Sequence, residues 1–200
     1  MKGLIGIPCM EQVHVPFVDS LLKLKRPSGV DVVFYQLSMI YVAREKLAQK
    51  CIKEGYDWLF FIDSDMTLPA DALLKLLAHD KDIVSGIAFK RFPPFDPCFY
   101  EKVTVTDRGI RLEHFKKWPK GLIEADACGM ACCLIKRGVF EKIIENNMPP
   151  FFPIPTTGED IAFCLRAKQS GFKIYIDTTV SCGHITSAPI TEEHYRGCLE

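Results

Sequence analysis

The first ninety residues constrain the fold most, because short apolar runs alternate there with longer amphipathic ones. "GLIGI" reads as a strand that ends at Pro8, and the residues from Val13 to Leu24 read as a helix. "VDVVFYQ" is a second strand. "SMIYVAREKLAQKCIKEG" is a helix with Ser38 as candidate cap and Gly55 as terminator. "WLFFI" is the third strand, Pro69 opens a third helix with Leu73, Leu76 and Leu77 on one face, and "DIVSGIAF" is the fourth strand. This rhythm predicts right-handed crossovers and an α/β fold, with a mostly parallel central sheet flanked by helices. Ligands of such sheets gather at the carboxyl ends of the strands.

Beyond Phe89 the pattern changes. "KRFPPFDPCFYEK" is too rich in proline for regular structure, and "VTVTDRGIRLEHF" predicts an antiparallel hairpin turning near Asp107 to Gly109. A strand and a helix from about Arg137 follow, then a second proline-aromatic loop, "MPPFFPIPTT". "GEDIAFCLRAKQSG" reads as a helix closed by Gly171, followed by the strand "FKIYID" and a final "VSCGHI". There is no internal repeat, low-complexity tract or linker, so residues 1–200 are expected to form one domain. The two proline-rich loops are candidate walls or lids of a site, or plain surface connections.

Charge excludes some functions. The 25 lysines and arginines balance 25 aspartates and glutamates, so no global field draws the chain to nucleic acid or an anionic membrane. Nine cysteines include no C-x-x-C pair, and most lie in apolar segments. They read as reduced, structural thiols, which implies a cytoplasmic setting. No apolar run approaches the ~20 residues that span a bilayer, and no signal peptide is apparent.

The residues able to carry chemistry fall in four places. "FIDSD" ends a five-residue apolar run on Asp63 and Asp65. On an extended chain the two carboxylates share a side, which suits a hard divalent cation; a simple helix-start turn is the competing reading. Glu159 and Asp160 fall in the first turn of a predicted helix, where an ionised base is favoured and where helix-start acidity is also ordinary. His184 follows a strand, as a candidate ligand for Mn²⁺ or a hydrogen-bonded core residue. Arg44 lies among apolar neighbours, placed to pair with phosphate or with a structural carboxylate.

Taken in order, Arg44, "YDWLFFIDSDMTLPADALLKLL", "DACGMACCLIKRGVFEKI", "GEDIAFCLRAKQSGFKIYID" and "CGHI" resemble nucleotide-sugar glycosyltransferases of the GT-A fold, particularly the family-2-like group. The similarity runs from about Leu4 to Ile185 and is weakest over Arg91 to Lys120. It implies a single Rossmann-like domain with a small antiparallel portion in its C-terminal half. Residues 1–90 would bind nucleotide, and residues 91–200 would carry the acceptor and catalytic parts. Asp65 would then ligate a divalent metal, Mn²⁺ ahead of Mg²⁺, with His184 as a further ligand. Asp63 would bind ribose or the metal's water shell. Pro8, Arg44 and Ser64 would help hold the donor, a UDP-sugar ahead of a GDP-sugar. Asp160 would be the general base toward an unidentified hydroxyl acceptor, supported by Glu159, and inversion would follow.

Departures narrow the resemblance. "CMEQVH" stands where many members carry an acidic "N-E", and Gln36 or Ser38 stands where a uracil-contacting acid is often found. The "Q-x-x-R-W" of processive members is absent, which favours single transfer over polymer synthesis. "FIDSDMT" also matches the D-x-D-x-T of haloacid-dehalogenase-type phosphatases, in which Asp63 would be the nucleophile. Against that, two strand–helix units precede it here. A non-catalytic nucleotide-sugar-binding module is the other alternative.

Overall fold

The computed structural model describes residues 2–186. Its centre is a seven-stranded sheet in the order β2-β1-β3-β10-β5-β11-β8. The strands are β1 (Gly3–Cys9), β2 (Val30–Gln36), β3 (Trp58–Ile62), β5 (Ile83–Ile87), β8 (Leu122–Ala125), β10 (Cys132–Lys136) and β11 (Ile174–Ser181). The inner strands β1, β3 and β5 are buried along their whole length. Strands covered on both faces read as unbroken apolar runs, and "WLFFI" is one of these.

Side chains alternate between two cores. Leu59 and Phe61 join the core on one face, while Trp58, Phe60 and Ile62 join that on the other. The first core also takes Leu47 and Cys51 from α2 (Ile40–Lys53), Val139 and Phe140 from α4 (Arg137–Glu145), and Phe163 from α5 (Glu159–Gln169). The second takes Phe17 and Leu21 from α1 (Val15–Lys23) and Leu73 and Leu76 from α3 (Ala72–Ala78). The layers are therefore helix, sheet, helix. Gly3 has to be glycine, since a Cβ there would stand 2.0 Å from the Trp58 ring.

The expected parallel sheet is corrected to a mixed one. β1 pairs in parallel with β2 and β3, and β11 with β5. β10 is antiparallel to both β3 and β5, and β8 is antiparallel to β11. The chain leaves β5, makes the hairpin of β6 (Phe99–Thr106) and β7 (Gly109–His114), and returns to insert β10 between β3 and β5. The hairpin forms a three-stranded sheet with β9 (Ala127–Cys128). A two-stranded sheet pairs β4 (Met66–Thr67) with β12 (Gly183–His184).

Helix starts also differ in detail. α2 is capped at Met39, without a side-chain hydrogen bond, rather than at Ser38. Gly55 and Gly171 close α2 and α5 at positive φ, 69° and 91°, as the glycine terminators predicted. No helix among the described residues is long and apolar enough to cross a membrane. The eight described cysteines are free, and Cys198 lies outside the described residues.

Candidate active site

A cleft of about 310 Å³ opens at the carboxyl ends of β1 and β3, lined by Pro8, Cys9, Met10, Ser38, Ile40, Asp63, Ser64 and Asp65. Three candidates from the sequence, Pro8, Ser64 and the aspartate pair, therefore share one wall. The pair does not continue the strand. The Met66 N–H donates to the Asp63 carbonyl at 3.1 Å, closing a turn, and the two carboxylates reach different partners.

Asp63 is held by Arg44. Arg44 is 3% exposed, and its guanidinium donates from Nη2 to Asp63 Oδ1 at 2.9 Å and from Nε to Glu159 Oε1 at 3.1 Å. It also lies 5.3 Å from the centre of the Phe61 ring. Arg44 thus lies beneath the cleft and ties the end of β3 to the start of α5. Its carboxylate partners hold its charge more firmly than its burial opposes it. Glu159 faces this arginine.

Asp65 meets His184. The Nδ1 of His184 lies 2.7 Å from the Phe89 carbonyl oxygen, so this nitrogen carries a hydrogen and donates it. Nε2 of the same ring points at Asp65 Oδ2, 3.2 Å away. The contact brings an imidazole nitrogen and a carboxylate oxygen, two kinds of metal ligand, side by side. Neighbouring ligands on an octahedral divalent ion with bonds of ~2.1 Å stand about 3 Å apart. The 3.2 Å between the two atoms is of that order. Among the described residues no group of three or more His, Cys, Asp or Glu side chains is placed to hold a metal, so Asp65 and His184 would supply a partial ligand set.

The sequence reading missed Arg91. Its Nη1 lies 3.2 Å from Asp65 Oδ2, the oxygen that faces His184. Only its position, a basic residue just past a strand end in "KRFPP", hinted at a role. The loop carrying it is closed at its base, with Cys98 N–H donating to Ala88 O at 2.8 Å and Lys90 N–H donating to Asp96 O at 2.9 Å.

Asp160 opens α5. Its Oδ1 accepts the Ile161 N–H at 2.7 Å. Burial first, and the neighbouring Glu159 second, push its pKa up to about 6, against the opposing pull of Arg44. A Cβ on Gly129 would lie 3.8 Å from Oδ2 and 3.5 Å from the Cys98 Cβ. The absent side chain at 129 therefore leaves room beside this oxygen. The site as a whole gathers the Asp65–His184 pair, a cleft and a buried carboxyl group with a raised pKa.

No protein-family model and no curated protein matches the sequence. Solved structures do, 204 chains among them. A197 from STIV is 23% identical with a TM-score of 0.68, over 94% of this chain and 87% of that one. GalNAc-T7, solved with UDP, GalNAc and Mn²⁺, is 13% identical with a TM-score of 0.64, over 98% of this chain and 47% of that one. The chain thus spans about half the length of the second. At these identities the likeness is one of fold, and the fold is GT-A-like.

Proposed function

We propose that the chain is a metal-dependent glycosyltransferase that moves a sugar from a nucleotide-sugar donor, a UDP-sugar ahead of a GDP-sugar, to a hydroxyl acceptor with inversion. The observation that carries this reading is the Asp65–His184 pair, an imidazole nitrogen and a carboxylate oxygen 3.2 Å apart at the edge of the cleft that Asp65 lines. Asp65 and His184 would hold the metal, Mn²⁺ ahead of Mg²⁺ because an imidazole is included. Once bound, the ion supplies Lewis-acid stabilisation of the charge left on the departing diphosphate.

The remaining work belongs to the protein. Phe89 orients the His184 ring through its carbonyl, which keeps Nε2 aimed at Asp65. Pro8 and Ser64 line the wall against which the donor lies, and Asp63 offers the ribose a carboxylate that Arg44 holds in place. Asp160 takes the proton of the acceptor hydroxyl at Oδ2, since Oδ1 is occupied by the Ile161 N–H. Glu159, paired with Arg44, fixes the first turn of α5 and so the position of that base.

A thermal-shift panel of UDP-, GDP-, CMP- and dTDP-sugars, with and without Mn²⁺, tests the reading. A ligand at ~100 times its Kd stabilises the fold by ~2.7 kcal/mol. A shift that needs both Mn²⁺ and a nucleotide-sugar is expected, and Asp65→Asn should abolish it. If no nucleotide-sugar raises the melt in Mn²⁺, the donor site is not there.

A further inference from the structure

We infer that Arg91 has two successive partners in this site: it neutralises Asp65 while the site is empty, and it binds the donor diphosphate once a divalent cation takes its place. The inference rests on the donor-site reading above and adds to it a residue and a binding order. Arg91 Nη1 and His184 Nε2 each approach the same oxygen, Asp65 Oδ2, at 3.2 Å. An arginine there satisfies the charge requirement that a metal would otherwise meet, so arginine and metal compete for one carboxylate. The side chain of Arg91 is 43% exposed, and among the described residues Asp65 is its one ion-pair partner. It is therefore free to turn without leaving a buried group unpaired.

The protein offers the cation only a partial set of ligands. On the donor-site reading, donor oxygens would complete that set, which would bring the diphosphate close to Asp65. A planar guanidinium already at that carboxylate reaches those oxygens by a side-chain rotation, and its fork suits two phosphate oxygens at once. The loop does not need to move, because its base is fixed by the backbone hydrogen bonds of Cys98 and Lys90. Metal alone must displace Arg91 without compensation, whereas metal with diphosphate gives the guanidinium a new anion. Cation and nucleotide consequently promote each other's binding, and each binds poorly by itself.

Arg91→Gln separates the two roles, using Mn²⁺ and UDP as probes and calorimetry with Mn²⁺ electron paramagnetic resonance as the readout. With the competing charge removed, Mn²⁺ alone should bind about fivefold more tightly than to the parent chain. UDP in saturating Mn²⁺ should bind about tenfold more weakly, the loss of a charge-assisted contact. Arg91→Lys should keep the weak Mn²⁺ binding but recover the UDP affinity only in part, because a lysine cannot fork. Opposite changes in the two affinities support the inference. Affinities that both fall, or that stay at the parent values, overturn it while leaving the donor site standing. A parent chain that binds neither probe, even at high concentration, removes the donor site and this inference together.

Discussion

Asp160 is subject to opposing influences, and their balance is measurable. The start of α5 and Arg44 favour its charged form, while burial and Glu159 oppose it and leave the pKa at about 6. As a base it must be deprotonated, so donor hydrolysis or transfer should rise with pH through about 6 and level off above. Asp160→Asn should keep nucleotide binding and lose ~10²–10⁴-fold in rate; an unchanged pH profile would remove Asp160 from this role. The stability consequence has the opposite sign. The folded-state pKa lies above the ordinary aspartate value, so the folded chain holds this proton more tightly than the unfolded one. The stabilisation is complete below pH ~4 and lost as pH rises through ~6, an effect of about 3 kcal/mol that urea melts at several pH values should show. Of the site residues, Asp63, Asp65, Glu159, Asp160 and His184 were visible in the sequence, because acids after an apolar strand or at a helix start are conspicuous. The partners of Arg44 were not visible. A guanidinium among apolar neighbours serves ligand and structure equally well, and its link to Glu159, 115 residues away, exists only in three dimensions.

The helices and strands were legible where one period dominated. α2, α4 and α5 appear where the pattern placed them, and the hairpin turns where expected, but β6 begins at Phe99, inside the stretch that read as irregular. Two features were hidden. β4 is only two residues long, too short for any periodicity to register. The direction of β10 was hidden too, since "CCLIK" is an apolar run whichever way it points, and parallel and antiparallel interior strands bury the same residues. Gly86 on β5 is crowded by both of its neighbouring strands, β11 above all. A Cβ there would stand 2.8 Å from both Val180 Cγ1 and the Val180 carbonyl oxygen, and 3.3 Å from Cys132 Sγ. The carbonyl cannot rotate away as a side chain would. Gly86→Ala should therefore cost about 1–3 kcal/mol, read as a lower urea midpoint. A midpoint equal to that of the parent chain would mean that β11 yields more readily than its burial suggests.

The GT-A-like arrangement as a whole was readable because the order of Arg44, the aspartate pair, the acidic helix start and the late histidine narrowed the choices that each left open. The acceptor side was not readable. Hairpin and loop segments there follow no period that encodes a binding surface, and exposed Phe92 and Phe95 look the same in sequence whether they cover something or not. The pairing of β12 with β4 has a further consequence, in time rather than space. His184 and Asp65 are 119 residues apart, so the cation pair closes only after the chain has been made through residue 184 and the interior sheet has formed around β10. Contacts of such long separation form late in folding. Mn²⁺ with UDP should then leave the refolding rate unchanged and slow unfolding, a shift of one limb of the chevron alone. A nascent or partly folded chain would hold Asp65 and His184 apart, so the proposed metal site would exist only once the fold is complete.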